Sequence, residues 1–327
     1  MLSSDPHLAR IQRSRSAPSV EQAVGMVWRP QVVPVAALLA CLALLYGPIV
    51  RRLAGEWWDD ANYSHGFLVP VFAAYVVWQR REALAALTAA GSWWGLPILL
   101  GGLGMLVGGE LGAERFLSGS SLIVVLAGLV LLHLGGLWLR HLTFPLGYLA
   151  FMIPLPAIVF YAIAFPLQQL AARNATWTLD ALGVPVFLDG NVLQLPHITL
   201  GVTEACSGIR SLVSLLALGV AWGQLALPGA WASAILVAAV VPITVVANAG
   251  RVVATGLVGQ YVGHEYATGV FHTFSGWMIF VIAFIGLRSV HGLIRLAQER
   301  RRPGGGAARA AARGRSGAGA GSEAPRP

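Results

Sequence analysis

The stretch GSSLIVVLAGLVLLHLGGLWL, residues 119–139, contains no Asp, Glu, Lys or Arg. The hydrocarbon core of a bilayer is about 30 Å thick, and a helix needs about 20 apolar residues to cross it. The stretch therefore predicts a transmembrane helix. The whole chain has the same character, since 56% of its 327 residues are hydrophobic, 11% are charged and the mean hydropathy is +0.69. Soluble domains carry about 25% charged residues, so this composition excludes a globular cytosolic enzyme and predicts an all-α polytopic membrane helix bundle.

Apolar stretches of comparable length recur along the chain and predict about eight transmembrane helices. They lie at about 32–50, 64–78, 93–109, 119–139, 142–165, 207–227, 231–250 and 270–290. The fifth stretch contains Pro154 and Pro156, which predict a kink or a break because proline removes a helical hydrogen bond. An even number of spans puts both termini on one side of the membrane.

The basic residues concentrate at the two ends of the chain. All 22 are arginine, with four before residue 30 and nine from Arg288 onward. If both tails are cytoplasmic, sixteen arginines fall in inner segments and six in outer ones, as the positive-inside rule requires. We therefore predict an inner-membrane protein with a basic cytoplasmic tail (1–29), a transmembrane domain (30–295) and a disordered cytoplasmic tail (296–327). This distribution argues against a nucleic-acid-binding surface.

Reactive side chains gather at the predicted outer ends of the last three spans. The run TEACSGIRSL, residues 203–212, opens the sixth span, NAGR, residues 248–251, closes the seventh, and His272 opens the eighth. Ionisable groups at membrane depth are costly and mark functional sites. The predicted topology thus brings a thiol, an imidazole and two guanidinium groups to one depth.

A cysteine and a histidine are the minimal apparatus of nucleophilic catalysis. The thiolate of Cys206 would attack, and the imidazole of His272 would transfer the proton. Arg251 would favour the thiolate and stabilise a developing oxyanion. Arg210 lies four residues after Cys206, so the two share a face if the segment is helical. Singly, each residue also has an ordinary structural explanation, such as an interface anchor for Arg251 or a helix-start charge for Glu204.

The run ACSGIRSL, residues 205–212, resembles the signature of the exosortase/archaeosortase family, which are multi-pass cysteine transpeptidase-like enzymes. Supporting motifs occur in the order typical of that family, over roughly residues 30–290. They are YSHGFLVP at 63–70, IPLP at 153–156, Asn248 with Arg251, and His272 with Gly276-Trp277. In having a histidine at position 272, the sequence resembles the bacterial exosortases.

The resemblance implies that the substrates are secreted proteins with a three-part C-terminal sorting signal. That signal has a Pro-Glu-Pro-type motif, a transmembrane helix and a basic cluster. The implied catalytic residues are Cys206, which would form an acyl-thioester, Arg251 and His272. Either of the last two is the proton donor, and His272 is favoured because an unperturbed imidazole has a pKa of about 6.5. Supporting or substrate-binding roles are implied for Arg210, His65, Asn248 and Glu204.

Several alternatives share some of these features. A transporter or channel would place ionisable groups near the bilayer midplane, whereas these lie at the predicted outer rim. A rhomboid-like serine protease would use Ser207 with His272. A membrane acyltransferase would share the thioester, and a non-catalytic factor for envelope or exopolysaccharide assembly would not need Cys206. The acceptor of the acyl group, water or another nucleophile, stays open, and the sequence calls for no metal or cofactor; the expected non-protein partner is membrane lipid.

Four smaller features carry structural predictions. Cys41, within the first apolar stretch, is expected to be lipid-facing or packed and inert. The glycines of residues 101–109 predict close helix packing. Residues 192–195 and 198–202 predict a short hairpin. Trp57, Trp58 and Tyr63 would belong to an outer aromatic belt.

Overall fold

The computed structural model describes the backbone of residues 20–202, 209–268 and 270–300. It describes the side chains of residues 34–202, 211–263, 265–267 and 274–300. The chain divides into two compact units, residues 1–55 and 56–327. The first unit holds most of helix α1 (Val20–Asp59), on which Cys41 is exposed, as a lipid-facing side chain would be. The second unit holds every candidate site residue.

Helices account for most of the second unit. They are α2 (Leu68–Gln79), α3 (Arg81–Ala85), α4 (Gly95–Leu111), α5 (Arg115–His133), α6 (Gly136–Tyr148), α7 (Ala157–Ala181), α8 (Ile209–Ala226), α9 (Ala230–Tyr261), α10 (His264–Thr268) and α11 (Val270–Arg300). Single 3-10 turns, Ser64–Phe67 and Leu149–Met152, precede α2 and follow α6. The predicted all-α membrane helix bundle is confirmed.

The number of spans is less sharply defined than the fold class. Among the described residues, four helices are long and apolar enough to cross a membrane: Pro34–Asp59, α5, α9 and Phe274–Arg300. Gly136–Met152 and Ala157–Ala181 form a fifth if they are taken as one span, bent by 78°. The remaining predicted stretches fall on the shorter helices α2, α4 and α8. The count of eight therefore stays a prediction, whereas the break at Pro154 and Pro156 is confirmed.

Helices α4 and α5 form a tightly packed pair, as the glycine-rich sequence predicts. A Cβ atom on Gly102 would lie 2.9 Å from the backbone nitrogen of Val125, and one on Gly128 would lie 2.7 Å from that of Leu99. Only hydrogen atoms fit at these two positions. By contrast, a Cβ atom on Gly101 would meet no atom within 4 Å.

A three-stranded antiparallel sheet lies between α7 and α8. Its strands are β1 (Phe187–Asp189), β2 (Val192–Gln194) and β3 (Thr199–Gly201), in the order β1-β2-β3. The β2–β3 pair is the predicted hairpin, with Leu193 opposite Leu200. The strand β1 was not predicted, because residues 187–189 are too short to show a periodic pattern.

Helix α9 is the centre of this unit, since it packs against α7, α8 and α11. Its first half shares a buried cluster with α8 and α11 that includes Leu215, Leu236 and Leu287. Its second half packs with α7 under the sheet, in a cluster that includes Leu179, Leu193 and Val252. We call this three-stranded sheet the cap.

Candidate active site

The structure describes the surroundings of the candidate nucleophile but not the nucleophile. Cys206, Glu204 and Ser207 belong to residues 203–208, which lie outside the described residues. Arg210 and His272 are the second residue of α8 and the third of α11, and their side chains also lie outside the described part. The approach of Cys206 to Arg251 and His272 therefore stays a prediction.

Arg251 lies inside a helix rather than at its end. The sequence places residues 248–251 at the end of the seventh span, and α9 itself continues beyond them to Tyr261. The additional helical turns are stabilised by the cap. Val252 and Val253 are buried in the cluster that α9 shares with the sheet and α7. A Cβ atom on Gly256 would lie 3.4 Å from Cδ1 of Leu179.

The length of α9 nevertheless places Arg251 near a membrane boundary. The helix has 32 residues, which makes it about 48 Å long at 1.5 Å per residue. A hydrocarbon core of about 30 Å accommodates about 20 of them. If Ala230 lies at one boundary, the opposite boundary falls close to Arg251, and the cap lies beyond it in water.

The guanidinium group of Arg251 connects α9 to α11. Its Nε donates a hydrogen bond to Oγ of Ser275 at 3.1 Å. Ser275 is only 1% exposed and lies three residues after His272, one helical turn further along α11. Arg251 is thus bound to α11 one helical turn from His272, the candidate acid or base.

Asn248 lies one helical turn before Arg251, on the same face of α9. It is 1% exposed, so a polar amide is buried beside the guanidinium group. A buried amide is costly unless it is hydrogen-bonded. This placement suits the supporting role that the sequence predicts for Asn248.

The chain that enters the cysteine motif starts from the cap. Val202, four residues before Cys206, is 1% exposed and packs in the same cluster as Val252 and Val253. Four residues extend about 14 Å at most. The Cα atom of residue 206 can therefore lie no farther than that from Val202.

His65 joins three segments of the chain. Its Nε2 is 3.0 Å from the carbonyl oxygen of Phe151, and its Nδ1 is 3.2 Å from Oγ of Ser214 on α8. A carbonyl can only accept, so Nε2 carries the hydrogen, and Nδ1 accepts from the Ser214 hydroxyl. His65 thus links the turn before α2 to the turn after α6 and to α8.

The segment before His65 holds the break between α6 and α7. Trp57 Nε1 donates to the carbonyl oxygen of Met152 at 2.8 Å, and the amide of Leu155 donates to the Tyr63 hydroxyl at 3.3 Å. Both aromatic residues are buried, so their assignment to an outer belt is wrong. Trp58 is 82% exposed and fits that assignment. A broken helix at membrane depth needs such partners for the backbone groups it frees.

No alternative site stands out in the described part of the chain. A groove of about 680 Å³ lies at the other end of α9, and its lining, which includes Phe144, Val220 and Ser233, has no ionisable side chain. The groove is about 27 Å from Arg251 along the helix, since 18 residues separate Ser233 from it. Within the described residues, no three His, Cys, Asp or Glu side chains are close enough to share a metal ion.

These features define an integral membrane protein of helical spans in which polar side chains converge near one end of the bundle. The chain belongs to the transmembrane exosortase family, whose model matches residues 57–288. That range contains all the candidate site residues. No curated protein and no solved structure matches the chain.

Four residues near the site have roles that sequence reasoning missed. Ser275 and Ser214 contact Arg251 and His65, Asn191 contacts Val202, and Gln168 contacts Asn191. Ser275 lies inside a motif that the resemblance already singled out, so its position was a usable signal. Asn191 looks like an ordinary turn residue in the sequence, and Gln168 is an isolated amide in an apolar helix.

Proposed function

We propose that this protein is a membrane cysteine peptidase or transpeptidase. It cleaves the C-terminal sorting signal of secreted proteins, in which a Pro-Glu-Pro-type motif is followed by a transmembrane helix and a basic cluster. The family supports a membrane peptidase of this general kind. The cysteine mechanism and the substrate signal are inferred from the motifs.

The bond between Arg251 Nε and Ser275 Oγ is the observation that carries the proposal. It fixes a cation between α9 and α11 at the turn next to His272, and chain connectivity limits the Cα atom of residue 206 to about 14 Å from Val202, which is buried in the adjacent cluster. This supports the proposal that the thiol, the guanidinium and the imidazole, which come from three separate segments, act in one region. A transporter would not require this arrangement at the end of a bundle.

The proposed reaction has two steps. The Cys206 thiolate attacks the carbonyl carbon of the scissile peptide bond, and Arg251 stabilises the oxyanion. The C–N bond breaks as His272 donates a proton to the leaving amine, which leaves an acyl-thioester on the sulfur. Water or another nucleophile then attacks the thioester carbonyl, gives its proton to His272 and releases Cys206 as a thiolate. Arginine is the weaker candidate for the proton transfer, because its pKa is above 12.

The proposed orientation has both termini in the cytoplasm and the site on the periplasmic face of the inner membrane. The sixteen-to-six arginine distribution supports it. A substrate helix would then lie beside the bundle with its basic end inside and its cleavage motif next to the cap. Labelling with a membrane-impermeant thiol reagent tests this, and reaction of Cys206 from the cytoplasmic side alone would contradict it.

The decisive experiment is co-expression of a protein bearing such a tail signal with wild type, Cys206→Ala or Ser207→Ala. We expect cleavage by wild type and by Ser207→Ala, and an uncleaved, membrane-retained substrate with Cys206→Ala. Loss of cleavage only in Ser207→Ala would favour a serine protease. Unchanged processing in Cys206→Ala would refute the thiol mechanism and favour a non-catalytic assembly role.

A further inference from the structure

Asn191 forms hydrogen bonds with both the backbone amide and the backbone carbonyl of Val202. The Val202 amide donates to the carbonyl oxygen of Asn191 at 2.8 Å, and Asn191 Nδ2 donates to the carbonyl oxygen of Val202 at 3.0 Å. Asn191 Nδ2 also lies 3.5 Å from Oε1 of Gln168 on α7. Gln168 is 7% exposed, so this amide pair sits at the buried junction of the cap with α7.

The turn between β1 and β2 does not by itself explain an asparagine at this position. Gly190 provides the left-handed conformation of that turn, with φ of 61°. The β2–β3 register places Asn191 opposite Val202, one pair beyond Val192 and Gly201, and the carboxamide of Asn191 adds a second bond to this pair. Its NH₂ group faces two acceptors, so a carboxylate of the same shape could not replace it.

We propose that Asn191, supported by Gln168, is a positioning residue for the Cys206 thiol. It fixes the point at which the chain leaves the cap and enters the cysteine motif. This inference rests on the proposed role of Cys206 as the nucleophile. Because residue 206 is only four residues beyond Val202, movement of Val202 changes the distance between the thiol and the cation on α9.

That distance controls how readily the thiol ionises. A nearby guanidinium favours the thiolate, whereas an ordinary cysteine thiol ionises near pH 8.5. Alkylation reports the thiolate fraction directly, since the thiolate is the nucleophile. If the bonds of Asn191 to Val202 are lost, the Cys206 thiol should therefore react more slowly at neutral pH. The pH at which its alkylation rate is half-maximal should increase.

The test measures alkylation of the full-length protein by a neutral haloacetamide between pH 6 and 10. A Cys41→Ser background leaves Cys206 as the one thiol, since the sequence has two cysteines. For Asn191→Ala we expect alkylation at pH 7 to slow about three- to tenfold, as one pH unit is a tenfold change in thiolate fraction. Gln168→Leu, which keeps the apolar packing, should shift the profile in the same direction by less.

Gln260→Ala is the matched control. The Gln260 amide holds His197 at the turn between β2 and β3, through contacts of 2.7 and 3.1 Å, so this variant loosens the other end of the same hairpin. Its alkylation profile should match wild type. An unchanged profile in Asn191→Ala, or an equal shift in Gln260→Ala, would overturn the positioning role. If Asn191→Ala does not accumulate, an unchanged profile in Gln168→Leu would do the same.

The alkylation experiment needs no substrate. Absence of cleavage by the wild-type protein would refute the proposed function. If Asn191→Ala still shifts the alkylation profile, the positioning role stays intact. Normal cleavage with no shift in either variant would refute the positioning role alone.

Discussion

The pair Trp57 and Trp58 offers a sharp test of how the broken span is stabilised. Trp57 is buried and donates to Met152, whereas the neighbouring Trp58 is 82% exposed. Trp57→Phe keeps the aromatic contact with Phe67, whose ring centroid is 5.2 Å away, but removes the donor. The buried carbonyl of Met152 is then left without this donor, which costs about 1–3 kcal/mol. At about 2–4 °C per kcal/mol, the Tm should fall by about 2–12 °C.

The measurement is thermal unfolding of the purified protein in detergent, with Trp58→Phe as the control. The same substitution on the exposed side chain should change the Tm by less than about 2 °C, since surface changes are usually within about 0.5 kcal/mol. Gly66→Ala provides a second approach to the same contact, because its Cβ atom would meet the Trp57 ring. Equal Tm values for the Trp57→Phe and Trp58→Phe proteins would show that the hydrogen bond to the break does not stabilise the fold.

Two further predictions concern other contacts. Gly102→Ala should lower the Tm because its Cβ would meet α5, whereas Gly101→Ala, with open space, should not; equal effects would refute the packing argument. Ser275→Ala should slow substrate cleavage about five- to thirtyfold by removing a partner of Arg251, consistent with about 1–2 kcal/mol, and unchanged cleavage kinetics would contradict this.

The fold class and the helix break were predictable because they depend on local composition. A run such as residues 119–139 has no stable location in water, and Pro154 and Pro156 cannot continue a helix. The end of α9 was not predictable in the same way. Residues 252–261 stay helical because the sheet packs on them. That contact joins segments about 60 residues apart, so no local window could show it.

The partners of the site residues were hidden for a related reason. Serine and asparagine are common in helices and turns, and most such residues have ordinary local roles. Ser275 differs from other serines only because Arg251, on another helix, donates to it. Asn191 differs from other turn residues only because Val202 passes within reach of its amide. Sequence motifs identified the reactive groups, whereas the residues that orient them depend on tertiary contacts.

The cap gives a physical reason for a reactive site at the end of a membrane bundle. Charges in a hydrocarbon core are costly, and charges in water are weakly coupled. Near the boundary, a helix such as α9 can continue into water and carry Arg251 where lipid ends, provided that something covers its emerging apolar face. The sheet covers that face with Leu193 and Val202, and its last strand leads directly into the cysteine motif. The same packing that stabilises the protruding helix would also deliver the proposed nucleophile beside the cation, so mutations that loosen the cap should impair thiol reactivity before they unfold the bundle.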